Sequence, residues 1–194
     1  MKYFILFITA ASVLVLLSIQ VSFGDDDHEY EREHDHDQRH YAWYERTPGV
    51  APVNNQLYDQ ECSSCHFAYP AGLLPEQSWR KIMSNLDDHF GENAELVEAD
   101  RQTIENYLVN NSAGHTDFRR SKKIMRSLSP SEVPLRITEL PYFKHEHDEI
   151  PSRLVKDNPK VGSFSQCDSC HRDAKNGYFS ENKISIPGYG RWDD

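Results

Sequence analysis

The sequence predicts a mainly α protein, with a helical N-terminal domain followed by a largely irregular C-terminal segment. Three observations carry that prediction. Between residues 75 and 113 apolar side chains recur at helical spacing, with Trp79, Ile82, Met83, Leu86 and Phe90 falling three or four apart. After residue 114, prolines recur at 130, 134, 141, 151, 159 and 187, which excludes long helices and favours extended segments and turns. One pentapeptide pattern, Cys-X-X-Cys-His, occurs once in each part: Cys62-Ser-Ser-Cys65-His66 and Cys167-Asp-Ser-Cys170-His171.

Taken in order, residues 1–24 form an apolar run behind Lys2, broken only by Thr9, Ser12, Ser18 and Gln20, and close on Ser22 and Gly24. Small residues three and one before Asp25 suit a signal peptidase, so a signal peptide is expected, with an uncleaved N-terminal anchor as the alternative. Residues 25–51 are expected to form a disordered, acidic, His-rich tail. Within it, residues 25–40 hold eight Asp or Glu against two Arg, a net −6 of the chain's −10, and such composition buries no core. His28, His34, His36 and His40 in that tail read as a solvated stretch or a loose metal binder.

Order is expected from about Pro52, in a helical domain over residues 52–113 that holds the first motif. Residues 54–66 suit a short helix running into Cys62. Pro75 fits the first turn of a second helix, which Gly91 ends, and Asp100 is a good N-cap for a third that packs through Ile104, Tyr107 and Leu108. Residues 114–194 form the irregular segment with the second motif, introduced by a basic run of Arg119, Arg120, Lys122, Lys123 and Arg126. That run suits propionate neutralisation, partner docking or a solvated helix face.

Each Cys-X-X-Cys-His reads as a c-type haem attachment site. Two thiols add to the porphyrin vinyl groups and the following histidine becomes an axial ligand. The two motifs use all four cysteines of the chain. A four-cysteine zinc site spaces its pairs by roughly 15–20 residues, whereas 101 residues separate Cys65 from Cys167. No βαβ pattern supports a thioredoxin-like reading, and two disulfides would leave both histidines as coincidences. Two covalently bound haem c groups are therefore expected, on Cys62, Cys65, Cys167 and Cys170, with His66 and His171 as proximal ligands. Haem c is attached outside the cytoplasmic membrane in bacteria, so the expected location is the periplasm. The acidic balance excludes a nucleic-acid binder.

The sixth ligand decides whether a haem carries electrons or binds small molecules. Past the leader only Met83 and Met125 are available, and Met83 reads as core. His89, three residues after Leu86 on the apolar face of its helix and ahead of the third helix, is the distal candidate for the first haem. His145 or His147 serves the second, with His115 in reserve; spacing alone leaves crossed ligation open.

Several stretches resemble the dihaem cytochrome c (DHC) family. They are Cys62-Ser-Ser-Cys-His-Phe-Ala-Tyr-Pro-Ala-Gly-Leu-Leu-Pro75, Ser78-Trp79, Asp88-His-Phe-Gly-Glu-Asn-Ala94, Leu135-Arg-Ile-Thr-Glu-Leu-Pro-Tyr-Phe143, His147-Asp-Glu-Ile150 and the second motif. The likeness runs in order over residues 54–190. It implies an N-terminal cytochrome-c-like domain, a C-terminal haem segment with little secondary structure, and bis-histidine irons. His66 and His171 match the proximal ligands, His89 and His147 the distal ones. It also implies redox partners: a small oxygen-binding monohaem cytochrome and a membrane b-type cytochrome. The expected function is a low-potential electron carrier, not an enzyme, that meets the membrane only if residues 1–24 stay attached. The alternatives are a dihaem peroxidase-like enzyme and a haem-based gas or metal-binding module.

Overall fold

The structure, a computed structural model, describes residues 47–192. The leader or anchor, and the tail as far as residue 46, lie outside the described residues. No helix among those described is long and apolar enough to cross a membrane.

The first half is built on three helices. Helix α1 (Gln56–Cys62) opens on Asn55, whose side-chain oxygen accepts the Tyr58 amide at 2.8 Å, satisfying one of the free N–H groups of the first turn. It stops at Cys62, so Cys65 and His66 follow in a turn rather than on the helix. Helix α2 (Glu76–Met83) carries Trp79, Ile82 and Met83 into the core. The buried indole N–H of Trp79 donates to the Ala71 carbonyl at 2.7 Å. Helix α3 (Glu98–Asn110) packs on α2 through Ile104 and Leu108, both fully buried. A Leu or Ile side chain buried this way contributes roughly 1.5–3 kcal/mol, so these few contacts dominate the stability of the half.

Two boundaries differ from the sequence expectation. The apolar spacing from Trp79 to Phe90 suggests one helix ending at Gly91, but α2 ends at Met83 and only a single 3-10 turn, Leu86–Asp88, follows. The Asn85 side-chain amide donates to the Asp88 carbonyl at 3.0 Å and the Ala94 amide to the Leu86 carbonyl at 2.8 Å, closing a loop where a helix would continue. Phe90 is consequently 43% exposed rather than core. Helix α3 begins at Glu98 behind Val97, two residues before the expected cap; Asp100 instead lies in the first turn, where its charge opposes the positive helix end.

The second half lies directly on the first. Helix α4 (Arg119–Ser127) turns Ser121 and Ile124 inward. The Ser121 hydroxyl donates to the Gly72 carbonyl at 2.9 Å, and Ile124 and Leu140 belong to the same core as Trp79 and Leu108. Helix α5 (Pro141–His145) starts on proline and is one turn long. Helix α6 (Cys167–Cys170) is the second motif itself. An antiparallel pair, β1 (Ser185–Ile186) and β2 (Gly190–Arg191), ends the chain with Ser185 opposite Arg191. Leu154, Ile184 and Ile186 make a small second core there.

Residues 47–51, assigned by composition to the tail, are ordered. Val50 is fully buried, the Gly49 amide donates to the Gly177 carbonyl at 2.8 Å, and the Arg120 amide donates to the Gly49 carbonyl at 2.8 Å. One apolar valine among neutral residues suffices to anchor the strap, because the acidic composition that suggests a tail ends at Glu45.

Candidate functional site

The first site is formed by the turn after α1 and the loop after α2. His66 leaves the turn with its Nδ1 on the Phe67 carbonyl at 2.8 Å, which fixes the ring and frees Nε2. His89 closes the 3-10 turn. Its amide donates to the Glu92 carbonyl at 2.8 Å, and the reverse bond from Glu92 is 3.3 Å. This tight reversal places Phe90 at φ 59° and Gly91 at φ 101°; the first is strained for a non-glycine residue. The guanidinium of Arg136 stacks 4.0 Å over the Phe90 ring, holding the strained turn. The sequence places His89 on a helix face; the structure moves it to a loop and still brings its ring to 6.2 Å from that of His66, with 28° between planes.

The second site joins α5, α6 and the chain after them. His147 follows α5, its Nδ1 on the Phe143 carbonyl at 2.8 Å and its ring stacked 3.9 Å from the Phe143 ring. His171 follows α6, packed against Phe179 at 5.3 Å. The two imidazole centroids stand 6.1 Å apart with 75° between planes. His145 faces outward, with its side chain 82% exposed, and His115 pairs with Glu76 at 2.7 Å on the surface, so neither enters the site.

The two pairs share nearly one spacing, 6.2 and 6.1 Å. A coordinated imidazole nitrogen sits about 2 Å from its metal and about 1.1 Å from its ring centre, so trans imidazoles on one metal stand about 6.2 Å apart. Direct ring stacking would bring them closer, and unrelated histidines would show no common value. The centroid spacing of each pair matches the trans value.

Burial keeps the second pair neutral. His171 is pushed down to about 3 by desolvation, then by His147 and Arg120; His147 is lowered chiefly by desolvation. His89 is lowered by desolvation, then by His66 and Arg136. A neutral imidazole presents the lone pair that a metal needs. No disulfide joins the four cysteines, and burial raises the thiol of Cys62 to about 11 and that of Cys167 to about 12.

A cleft with about 930 Å³ of empty space, part of it open to solvent, lies between His147 and His171 and is walled by Leu73, Ile137, Leu140, Phe143, Phe164 and Phe179. Cys167 and Cys170 border it, so a flat apolar group bonded through them would lie between the two imidazoles. Arg120 also borders it, with Nε buried and without a protein acceptor. A buried N–H without a partner is costly, and a carboxylate on a group filling the cleft would satisfy it. The residues present therefore fit a haem with propionates. One side chain touches both sites: the Tyr69 ring lies 4.6 Å from the His66 ring, and its hydroxyl donates to the Ser165 carbonyl at 2.7 Å, two residues before Cys167.

Sequence reasoning missed Tyr142 and Glu146, and named Arg120 only within the basic run that suits propionate neutralisation, partner docking or a solvated helix face. Arg120 Nη1 donates to the Tyr142 hydroxyl at 2.7 Å and to Glu146 Oε2 at 3.0 Å, and Nη2 donates to the Phe179 carbonyl at 2.9 Å. Its side chain is only 12% exposed. The signal that would have singled it out is that Arg120 precedes Ile124 by four residues, which puts it on the inward face of α4.

A mainly α fold with two Cys-X-X-Cys-His motifs, one of them bordering an apolar cleft, defines a c-type cytochrome with two haems. The chain belongs to the dihaem cytochrome c family, whose model matches residues 58–179. It is similar to the diheme cytochrome c of Shewanella baltica OS155, at 47% identity and a TM-score of 0.60, with 72% of this chain and 98% of that one covered. A diheme cytochrome c from Rhodobacter sphaeroides is 45% identical, TM-score 0.60, over 67% of this chain and all of the other. The comparison with curated proteins found no match. Two covalently bound c-type haems and haem-based electron transfer come with that membership.

Proposed function

We propose that this protein is a periplasmic electron carrier in which both irons are bis-histidine, low-spin and of low potential. His66 and His89 would hold the first haem and His147 and His171 the second, with the cysteine pairs as covalent anchors. The observation that carries this reading is the centroid spacing of 6.2 and 6.1 Å in the two histidine pairs. Two imidazoles per iron would leave no vacant axial position for peroxide or gas, which argues for a carrier over a peroxidase-like enzyme or a sensor.

A bound haem supplies the one-electron couple. The chain's own residues do the rest. The bonds from His66 and His147 Nδ1 to backbone carbonyls fix ring orientation, so little atomic rearrangement accompanies a change of oxidation state. The apolar walls of the second cleft would pack on the faces of the porphyrin, and no side chain has to donate or accept a proton. Histidine in place of methionine leaves out the ligand that raises potential. Export rests on the apolar leader of residues 1–24, and the partners on the family likeness: a small oxygen-binding monohaem cytochrome and a membrane b-type cytochrome.

The test is the spectrum of the reduced holoprotein with and without carbon monoxide, beside a haem count by mass. Two covalent haems and an unchanged spectrum are expected; a carbon monoxide shift on either haem would overturn the closed-iron reading. Electron paramagnetic resonance adds an independent check. Near-parallel imidazoles split the iron orbitals strongly, whereas crossed ones leave them nearly degenerate, so planes at 28° and 75° should give one rhombic and one strongly anisotropic low-spin signal. A single signal type from both haems would contradict those ring orientations.

A further inference from the structure

We propose that Arg120 is the positioning residue of the second haem site, setting both the crossed ligand planes and the reduction potential of that iron; this rests on the bis-histidine reading above. Arg120 hydrogen-bonds to both ligand-bearing segments, beside the ring contacts that Phe164 makes with Phe143 and His147. On the distal side it holds Tyr142 at 2.7 Å and Glu146 at 3.0 Å, the residues of α5 and its C-cap that lead into His147. On the proximal side it holds the Phe179 carbonyl at 2.9 Å, and the Phe179 ring packs 5.3 Å from that of His171. The Tyr142 hydroxyl also donates to Glu146 at 3.0 Å, closing the cluster.

The guanidinium is suited to this task. Its planar fork makes three directed bonds at once, which a lysine ammonium cannot reproduce in the same geometry. Rotation of α5 about its axis would break two of them, so the His147 plane is held relative to that of His171. Arg120 also brings a charge to the lining of an apolar cleft, where the low dielectric leaves it weakly screened. A cation there favours the ferrous over the ferric state. Glu146, 19% exposed and also lining the cleft, opposes it within the same cluster.

The experiment uses the dihaem holoprotein with Arg120→Met, Arg120→Lys and Glu146→Gln, followed by redox titration with both haems resolved. The first haem is the internal control for folding. In Arg120→Met the reduced-to-oxidised ratio of the second haem at a fixed potential should fall about ten-fold, equal to about 59 mV for one electron, with the first haem unmoved. Its strongly anisotropic low-spin signal should also change shape. Arg120→Lys should recover most of the potential but not the signal shape, because charge returns without the fork. Glu146→Gln should move the second potential upward. An unchanged second haem in Arg120→Met, equal movement of both haems, or a downward shift in Glu146→Gln would each overturn the proposal. Where Arg120→Met fails to take up haem, Arg120→Lys and Glu146→Gln decide by the same signs. A high-spin second haem in the wild-type protein would sink the bis-histidine reading itself, whereas a low-spin haem indifferent to Arg120 sinks only this proposal.

Discussion

At the scale of single residues, two histidines one position apart from Glu146 have opposite fates. His145 ends α5 pointing to solvent, whereas His147 is turned inward by its bond to the Phe143 carbonyl and its stack on the Phe143 ring. His145→Ala should leave the absorption spectrum and carbon monoxide indifference intact. His147→Ala should open the second iron, giving a high-spin component and a carbon monoxide complex on half the haem. The reverse pattern would assign the ligand to His145 instead. The residues themselves left His145 and His147 open, because the two differ only in which side of a one-turn helix they leave, and the family resemblance favoured His147. His66 and His171 needed no such help, since the thiols beside them fix where the haem lies. Arg120 could not be singled out from its four neighbouring cations, which shared the readings of propionate neutralisation, partner docking and solvated face; only the contacts with Tyr142, Glu146 and Phe179 show it facing inward.

At the scale of elements, the helices were legible where one apolar face repeats and illegible where a loop borrows that spacing. Trp79, Ile82 and Met83 mark α2 correctly, but Leu86 is buried from a 3-10 turn and Phe90 is half exposed at positive φ. Periodicity counts positions and cannot see the Asn85 and Ala94 hydrogen bonds that close the loop. The returning C-terminal segment was equally hidden, because its register depends on one glycine. Gly177 sits at φ 80°, and its carbonyl accepts from Gly49. A Cβ there would fall on the Val50 carbonyl oxygen, inside any permissible contact. Gly177→Ala must therefore both strain its own backbone, at a cost of about 1–3 kcal/mol, and push the strap of residues 47–53 away. Denaturant titration of the holoprotein should show a loss at the upper end of that range or beyond. A midpoint within error of wild type would mean that the strap is not fixed by this glycine.

At the scale of the whole molecule, apolar packing is distributed unevenly, and the haems make up the difference. The main core gathers α1 to α4 with Leu140, including the fully buried Leu74, Ile104, Leu108 and Ile124. The second core has three buried residues, Leu154, Ile184 and Ile186, among short 3-10 turns and a two-residue ladder. Even with the separately buried Val155, Val161 and Ala174, these side chains bury too little surface to order some fifty residues against the conformational entropy of roughly 1–2 kcal/mol per backbone position. The aromatic walls of the cleft, Phe143, Phe164 and Phe179, include one edge-to-face pair, Phe143 and Phe164 at 6.2 Å, and a plate inserted beside them would add to that packing. Cys167→Ser/Cys170→Ser, which removes the second attachment but leaves the first, should thus separate the two parts. Hydrogen exchange should rise steeply across residues 141–192, while α2 and α3 keep their protection and the first haem stays covalently bound. Exchange that remains slow after residue 141 would show that the protein scaffold holds the second site without its haem. Loss of protection in α2 and α3 as well would show that Ser121, Ile124 and the Gly49–Gly177 contact bind the chain into one cooperative unit, with the second haem as a keystone for both parts.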